Sequence, residues 1–139
     1  MIKHTIYGKP KALKRHRSTR SGIMYDPSYI DKKKIWLQIA SKKPVQPYAG
    51  NIKISLKFVM PRPKSHYRTG KFKYKLKEKL KNLKYHTFTP DLDNLIKLIS
   101  DVISGKDRFI VDDSQICIIE AEKIYGETPR TEFIIQEFI

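Results

Sequence analysis

The sequence has few of the residues that build disulfides and metal clusters, and it lacks long apolar runs. Cys117 is the only cysteine, so no intramolecular disulfide can form, and its apolar strand-like surroundings predict a buried thiol in a reducing compartment. The four histidines are scattered, which argues against structural zinc. No stretch approaches the roughly 18 apolar residues of a membrane span, and the N-terminus lacks the apolar core of a signal peptide. We therefore expect a cytoplasmic protein with no membrane partner.

Acidic side chains are scarce in the first two thirds of the chain. The net charge is +15, but residues 1–90 hold 24 Lys and Arg against 3 acidic residues, whereas residues 91–139 hold 5 against 11. This asymmetry indicates a basic surface joined to an acidic centre and favours nucleic acid as a partner. The length of 139 residues is typical of one domain, spanning 1–139.

Hydrophobic periodicity predicts alternating strands and helices. Strands are expected at 2–7, at Ile52–Met60, and at Ile116–Tyr125 and Thr131–Phe138, the last two joined as a hairpin by Gly126 to Pro129. Helices are expected from about Pro27 to Ser41, with Asp26 as N-cap and an apolar face that includes Tyr29, Ile30 and Leu37, and from Leu92 to Ile103, with Gly105 at the C-cap. Lys11 to Arg20 should be a loop. The order β-α-β-α-β-β predicts an α/β (α+β) single domain, with a mixed β-sheet and the helices packed on it.

Residues 61–90 form an unusually basic segment. Lysines alternate with Phe72, Tyr74 and Leu76, which fits a strand, but the leucine spacing also fits a helix. Because neither pattern prevails, we expect a mobile lobe that becomes ordered on DNA.

Aspartates flank the second predicted helix on both sides. Asp91 and Asp93 lie at its start, and Asp112 and Asp113 follow it. Clustered carboxylates repel one another unless a cation neutralises them, and Mg²⁺ prefers carboxylates and water. Since residues i and i+2 of a helix point about 200° apart, Asp91 should lie at the N-cap, outside the regular helix. Lys97 lies one turn beyond Asp93, where it can position that carboxylate or meet phosphate charge.

Each of these features alone also has a structural explanation. Aspartate is common at helix N-caps, Asp93 and Lys97 form an ordinary i,i+4 pair, and Asp112-Asp113 is compatible with a turn. Their coincidence beside a basic region favours catalysis.

The motif Asp91-Leu92-Asp93-Asn94-Leu95-x-Lys97, followed by Asp112-Asp113, resembles the RusA-like endodeoxyribonucleases, or RusA-type Holliday junction resolvases, which are often encoded in phage-derived DNA. Two further segments are similar: Gly8-Lys9-Pro10 leading to Lys14-Arg15-His16-Arg17, and Pro61-Arg62-Pro63-Lys64-Ser65-His66. The resemblance implies a homodimer that resolves four-way junctions with Mg²⁺, or Mn²⁺ as a substitute, and needs no small-molecule cofactor. It assigns the catalytic, metal-binding roles to Asp91, Asp93 and Asp113 and a functional role to Lys97. The lysine-rich stretch from Lys71 to Lys84 departs from the compact family pattern.

DNA contacts are expected on basic loops. Lys14, Arg15, Arg17, Arg62 and Lys64 lie at motif-like positions and are predicted to touch phosphate, with a solvated basic surface as the alternative. The aromatic residues Tyr67, Phe72, Tyr74 and Tyr85 either stack on unpaired bases or pack within the lobe. Two other functions remain open, a non-catalytic nucleic-acid-binding protein and a metal-dependent nuclease for flaps or forks.

Overall fold

Four strands of one mixed sheet and two α-helices make up the fold, in a computed structural model that describes all 139 residues. In chain order the elements are β1 (Ile2–Tyr7), β2 (Arg17–Ser18), β3 (Met24–Tyr25), α1 (Tyr29–Ile39), β4 (Asn51–Pro61), α2 (Leu92–Ile103), β5 (Ile116–Gly126) and β6 (Arg130–Phe138). The short strands β2 and β3 pair only with each other, inside the segment that was expected to be a loop. The predicted α+β class and the order of the main elements are confirmed.

The last two strands do not form the predicted hairpin. The order in the sheet is β1-β6-β4-β5, so β4 lies between β5 and β6. β4 is antiparallel to β6 and parallel to β5. The prediction was wrong because a short turn between two alternating segments suggests direct pairing, whereas β4 is apolar enough to be buried at the centre and takes a neighbour on each side.

Gly126 lies where the chain crosses the end of β4. A Cβ at this position would be 2.4 Å from Cγ1 of Val59, closer than real Cβ atoms approach another heavy atom. Val59 is buried and β-branched, so its methyl groups cannot swing away at low cost. The crossover therefore requires glycine because of this close approach.

The hydrophobic core lies between the sheet and both helices. Its largest fully buried side chains include Phe58 of β4, Phe133 of β6 and Phe109, which follows α2. The apolar residues that α2 buries in this core are Leu95, Leu98, Ile99, Val102 and Ile103. No helix combines the length and apolar character needed to cross a membrane.

α1 differs from its sequence prediction in its start and in its buried face. Its N-cap is Ser28, because the Asp26 side chain instead accepts a 2.9 Å hydrogen bond from the Ser28 N–H. The buried residues are Ile35 and Ile39, whereas Tyr29, Ile30 and Leu37 are exposed. Trp36, which the same helical spacing predicts on the apolar face, does pack against the core, so the buried side of α1 overlaps the predicted face only in part.

Cys117 is exposed, which corrects the expectation of a buried thiol. β5 is an edge strand, and its pairing with β4 shifts by one residue between Ile116 and Ile118. Cys117 is the extra residue at this irregularity, so it has no partner in the ladder. Its thiol lies 3.2 Å from the Gln115 carbonyl oxygen.

The lobe, residues 61–90, forms neither a long strand nor a long helix. Single-turn 3₁₀ helices at Lys64–His66, Gly70–Phe72 and Glu78–Leu80 alternate with turns. Backbone hydrogen bonds close it internally, from Arg68 N–H to Lys75 O at 2.8 Å and from Lys77 N–H to His66 O at 2.9 Å. Lysine crowding disfavours either regular form, and these local turns leave the lysines in water.

Candidate active site

The start of α2 presents a carboxylate that has no structural role in the helix. Asp91 is the N-cap residue, with extended backbone angles of φ −70° and ψ 142°, and its side chain makes no capping hydrogen bond. Its backbone carbonyl accepts from the N–H groups of Asn94 and Leu95, both at 3.2 Å. The helix therefore begins as predicted, while the exposed Asp91 carboxylate is available to another ligand.

Asp93 lies in the first turn of α2 beside Lys97. Lys97 Nζ is 3.6 Å from Asp93 Oδ2, and both side chains are more than half exposed. A pair this exposed stabilises the helix by only about 0.3–0.5 kcal/mol. The first-turn N–H groups and the helix dipole also favour an anion at this end.

Asp112 and Asp113 have different environments although they are adjacent. Asp112 caps the 3₁₀ turn Asp113–Gln115: its Oδ2 accepts from Ser114 N–H at 3.0 Å, and these hydrogen bonds lower the pKa of the Asp112 carboxyl. Gln115 Nε2 in turn donates to the carbonyls of Tyr48 and Gly50, both at 2.9 Å. This turn is thus anchored, and the exposed Asp113 side chain is not used in capping it.

An open hollow of about 370 Å³ brings three of the predicted site residues together. Asp93, Lys97 and Asp113 line it with Ser100, Asp101 and three isoleucines. Asp91 is not part of this lining and stands at the adjacent helix start. No three His, Cys, Asp or Glu side chains are arranged as a ready metal-binding group. The structure thus gathers Asp93, Lys97 and Asp113 in one place without preforming a three-carboxylate cluster.

Asp101, which no motif in the sequence singles out, also lines the hollow, but its carboxylate is paired with a lysine of α1. Lys32 of α1 lies 3.2 Å from Asp101 and 2.7 Å from Asp26. Burial opposes the charge of Lys32, but the two carboxylates outweigh it and raise the pKa of the ammonium group. Asp101 therefore joins α2 to α1.

The basic loop after β1 is attached to the start of α2. Leu13 N–H donates to Asn94 O at 2.9 Å, and Lys14 N–H donates to Ser28 Oγ at 2.8 Å. The side chains of Lys14, Arg15 and Arg17 are exposed. These hydrogen bonds bring the positive charge of the loop close to the carboxylates in the fold.

Arg62 and Lys64 have different environments. Lys64 is exposed, whereas Arg62 donates to the carbonyls of Leu80 at 3.3 Å and Leu83 at 2.7 Å. Its guanidinium lies 5.0 Å from the centroid of the buried Tyr125 ring. Arg62 therefore joins the lobe to β5. Its guanidinium N–H groups are used in these contacts and are not free for a DNA phosphate.

Lys123 of β5 is a site residue that the sequence reading missed. Its Nζ donates to Phe88 O at 2.6 Å and to Pro90 O at 2.7 Å, immediately before Asp91. The alternation of side chains along β5 could have identified Lys123. It shares one face of the strand with Ala121 and Tyr125, opposite to Glu120 and Glu122, so this lysine points towards the helix side of the sheet.

Comparison with known proteins adds independent information. A family model described as Endodeoxyribonuclease RusA matches residues 7–136, which include both helices and all four flanking aspartates. The crossover junction endodeoxyribonuclease rusA of Lactococcus phage r1t is 31% identical over 113 residues, covering 81% of this chain and 76% of the phage protein. The protein YqaN of Bacillus subtilis (strain 168) is 34% identical over 141 residues, covering 98% of this chain and 96% of the relative.

Proposed function

Because the chain belongs to the RusA family of endodeoxyribonucleases, we propose that it resolves four-way DNA junctions by metal-dependent hydrolysis at Asp91, Asp93 and Asp113. The observation that carries this proposal is the shared hollow, where Asp93 and Asp113 meet Lys97 beside the start of α2. A junction-cleaving enzyme works where DNA recombines and is repaired, so we place it in the cytoplasm.

The chemistry of the three carboxylates fits a hard divalent cation. All their donors are oxygen atoms, neither Asp91 nor Asp113 caps a helix with its side chain, and Mg²⁺ takes such ligands together with water. When bound, Mg²⁺ or Mn²⁺ supplies Lewis-acid charge at the phosphate and lowers the pKa of water. Asp112 is excluded from the proposed ligands because its carboxylate is already used in capping.

The remaining groups position the DNA. The free N–H groups at the start of α2 bind a phosphate oxygen, and Lys97 balances negative charge that develops there. Lys14, Arg15 and Arg17 hold the backbone on the loop attached to Asn94, and Lys64 extends this contact. For Arg62 we propose that holding the lobe on Tyr125 replaces the phosphate contact expected from the sequence.

A homodimer suits this reaction, because a four-way junction has two symmetric strands to cut and a two-fold assembly offers one site to each. The edge of β5 is unpaired from Ile116 to Glu122, and Ile118 and Ile119 are 42% and 47% exposed there. An unpaired edge can join a copy of itself in antiparallel fashion. We propose this edge as the dimer contact, and Ile118→Lys should then give a monomer by light scattering, whereas an unchanged mass would exclude it.

The substrate is tested by incubating the protein with a labelled four-way junction, a flap, a fork, a linear duplex and single-stranded DNA, each with Mg²⁺ and with chelator. We expect paired symmetric nicks in the junction only when metal is present. If flaps or forks are cleaved in preference to the junction, the proposed substrate is wrong, but the proposed metal-dependent hydrolysis still holds. Tight binding without cleavage in any metal would contradict the proposal and favour a non-catalytic binding protein.

A further inference from the structure

The segment from Lys84 to Pro90, here called the strap, is fixed along the edge of β5. Tyr125 N–H donates to Lys84 O at 2.8 Å, and His86 N–H donates to Lys123 O at 3.1 Å. The Lys123 ammonium then holds the carbonyls of Phe88 and Pro90. Four hydrogen bonds thus fix the backbone that leads directly into Asp91.

Two aromatic rings on this fixed backbone remain in water. Phe88 is 67% exposed and Tyr85 is 54% exposed, although β5 and the core are close by. The Phe88 ring is flanked on one side by the edge-on imidazole of His86, with ring centroids 6.3 Å apart. An exposed aromatic ring on a fixed backbone is characteristic of a contact surface, because the backbone needs little further ordering when a partner binds.

The charge around the strap indicates the class of partner. Lys84 Nζ lies 5.2 Å from the Tyr85 ring centroid. Burial and the nearby charges of Lys123 and Lys9 lower the pKa of His86, so positive groups approach the strap from β5 and from the loop after β1. Aromatic rings among lysines are the combination that binds single-stranded nucleic acid, since rings stack on bases while lysines follow phosphates.

We propose that Phe88, with Tyr85 beside it, stacks on unpaired nucleobases of the DNA strand that enters the active site. Phe88 is three residues before Asp91, so the Cα atoms of the two residues lie at most about 11 Å apart. Stacking at this distance holds an unpaired base near the cut phosphate, which selects DNA with open base pairs over continuous duplex. This inference rests on the proposed function for the position of the strand, but base stacking can be measured without cleavage.

The test measures binding in chelator, by fluorescence anisotropy, to labelled oligothymidine and to a duplex of equal length. Phe88→Ala should weaken oligothymidine binding about fivefold or more, while duplex binding changes less than about twofold. The slope of affinity against salt should stay the same, because no charge is removed. Tyr7→Ala is the matched control, since Tyr7 is 65% exposed on β1, at the opposite edge of the sheet, and should leave both affinities unchanged.

A second readout reports on the base directly. With 2-aminopurine at the branch point of a junction, emission should change on binding of the wild-type protein and much less with Phe88→Ala, with Phe88→Leu intermediate. Equal weakening for both DNA forms, no weakening, or an oligomeric state altered by Phe88→Ala would overturn the proposal. These measurements do not involve cleavage, so their failure would not affect the proposed nuclease function. Conversely, a protein that does not cleave DNA could still show the stacking.

Discussion

Lys123 connects β5 to the backbone directly before Asp91, the first residue of the proposed active site. A lysine directed towards the core side of a sheet is costly unless its charge is satisfied, and here two carbonyl oxygens accept from it. Those carbonyls belong to Phe88 and Pro90, so Lys123 fixes the approach to Asp91. We infer that Lys123 is a positioning residue, which acts through the placement of Asp91 rather than on the phosphate.

Lys123→Met should therefore reduce kcat by about tenfold or more, because a displacement on the order of 1 Å at a catalytic group costs about a hundredfold. The Mg²⁺ concentration for half-maximal cleavage should also rise, an effect that loss of stability alone would not produce. Lys123→Arg, which keeps two donors, should recover much of the activity.

The control for this change is Lys106→Met, which removes the same charge from an exposed lysine with no side-chain hydrogen bond or ion pair. Wild-type kcat and unchanged metal dependence in Lys123→Met would show that the two hydrogen bonds do not position the site.

Part of the local geometry of the candidate site was predictable at the residue scale. The position of Asp91 at the N-cap follows from the angular spacing of a helix, and the structure places it there. Asp113 could not be chosen over Asp112 from the two residues alone, and only the Ser114 and Gln115 hydrogen bonds show which carboxylate is used in capping. Lys123 was missed because its partners, the strap carbonyls, are distant in sequence.

At the scale of elements, the central position of β4 explains the topology. Hydrophobic periodicity in the sequence predicted β1, β4, β6 and α2, and the structure contains these elements. Strand neighbours depend on long-range pairing, which local pattern does not contain, so the Gly126 to Pro129 turn was misread as a hairpin. The exposure of Cys117 has the same cause, because an edge strand looks as apolar as a buried one in sequence.

Gly126→Ala tests the crossover. The new methyl would meet Val59 at 2.4 Å, so we expect destabilisation of about 1–3 kcal/mol in denaturant unfolding. The double variant Gly126→Ala/Val59→Ala should be less destabilised than the sum of the two single variants, because removing the Val59 methyl groups relieves the clash. Additive single effects would show that the two residues do not meet and that β5 and β6 pair differently.

For the whole molecule, opposite charges are arranged around one end of α2. The basic loop with Lys14, Arg15 and Arg17 is attached at Asn94, the lobe is attached through Arg62 and Tyr125, and Asp93 and Asp113 line one hollow beside α2. A basic surface attracts DNA but repels metal ions, so the role that we propose for the aspartates is to hold a cation within that surface. The uneven distribution of charge along the sequence thus corresponds to basic and acidic regions that lie in different places in the fold.

The most direct test of this account is junction cleavage by Asp91→Asn, Asp93→Asn and Asp113→Asn in Mg²⁺, with binding measured in parallel. Each variant should cut at least about a hundredfold more slowly, because a metal-binding oxygen is lost, and should bind the junction as tightly or more tightly, because negative charge is removed. Asp107→Asn, at an exposed position with φ 57° that asparagine tolerates, is the matched control and should cut normally. Near wild-type cleavage by two of the three variants would contradict the assignment of the active site.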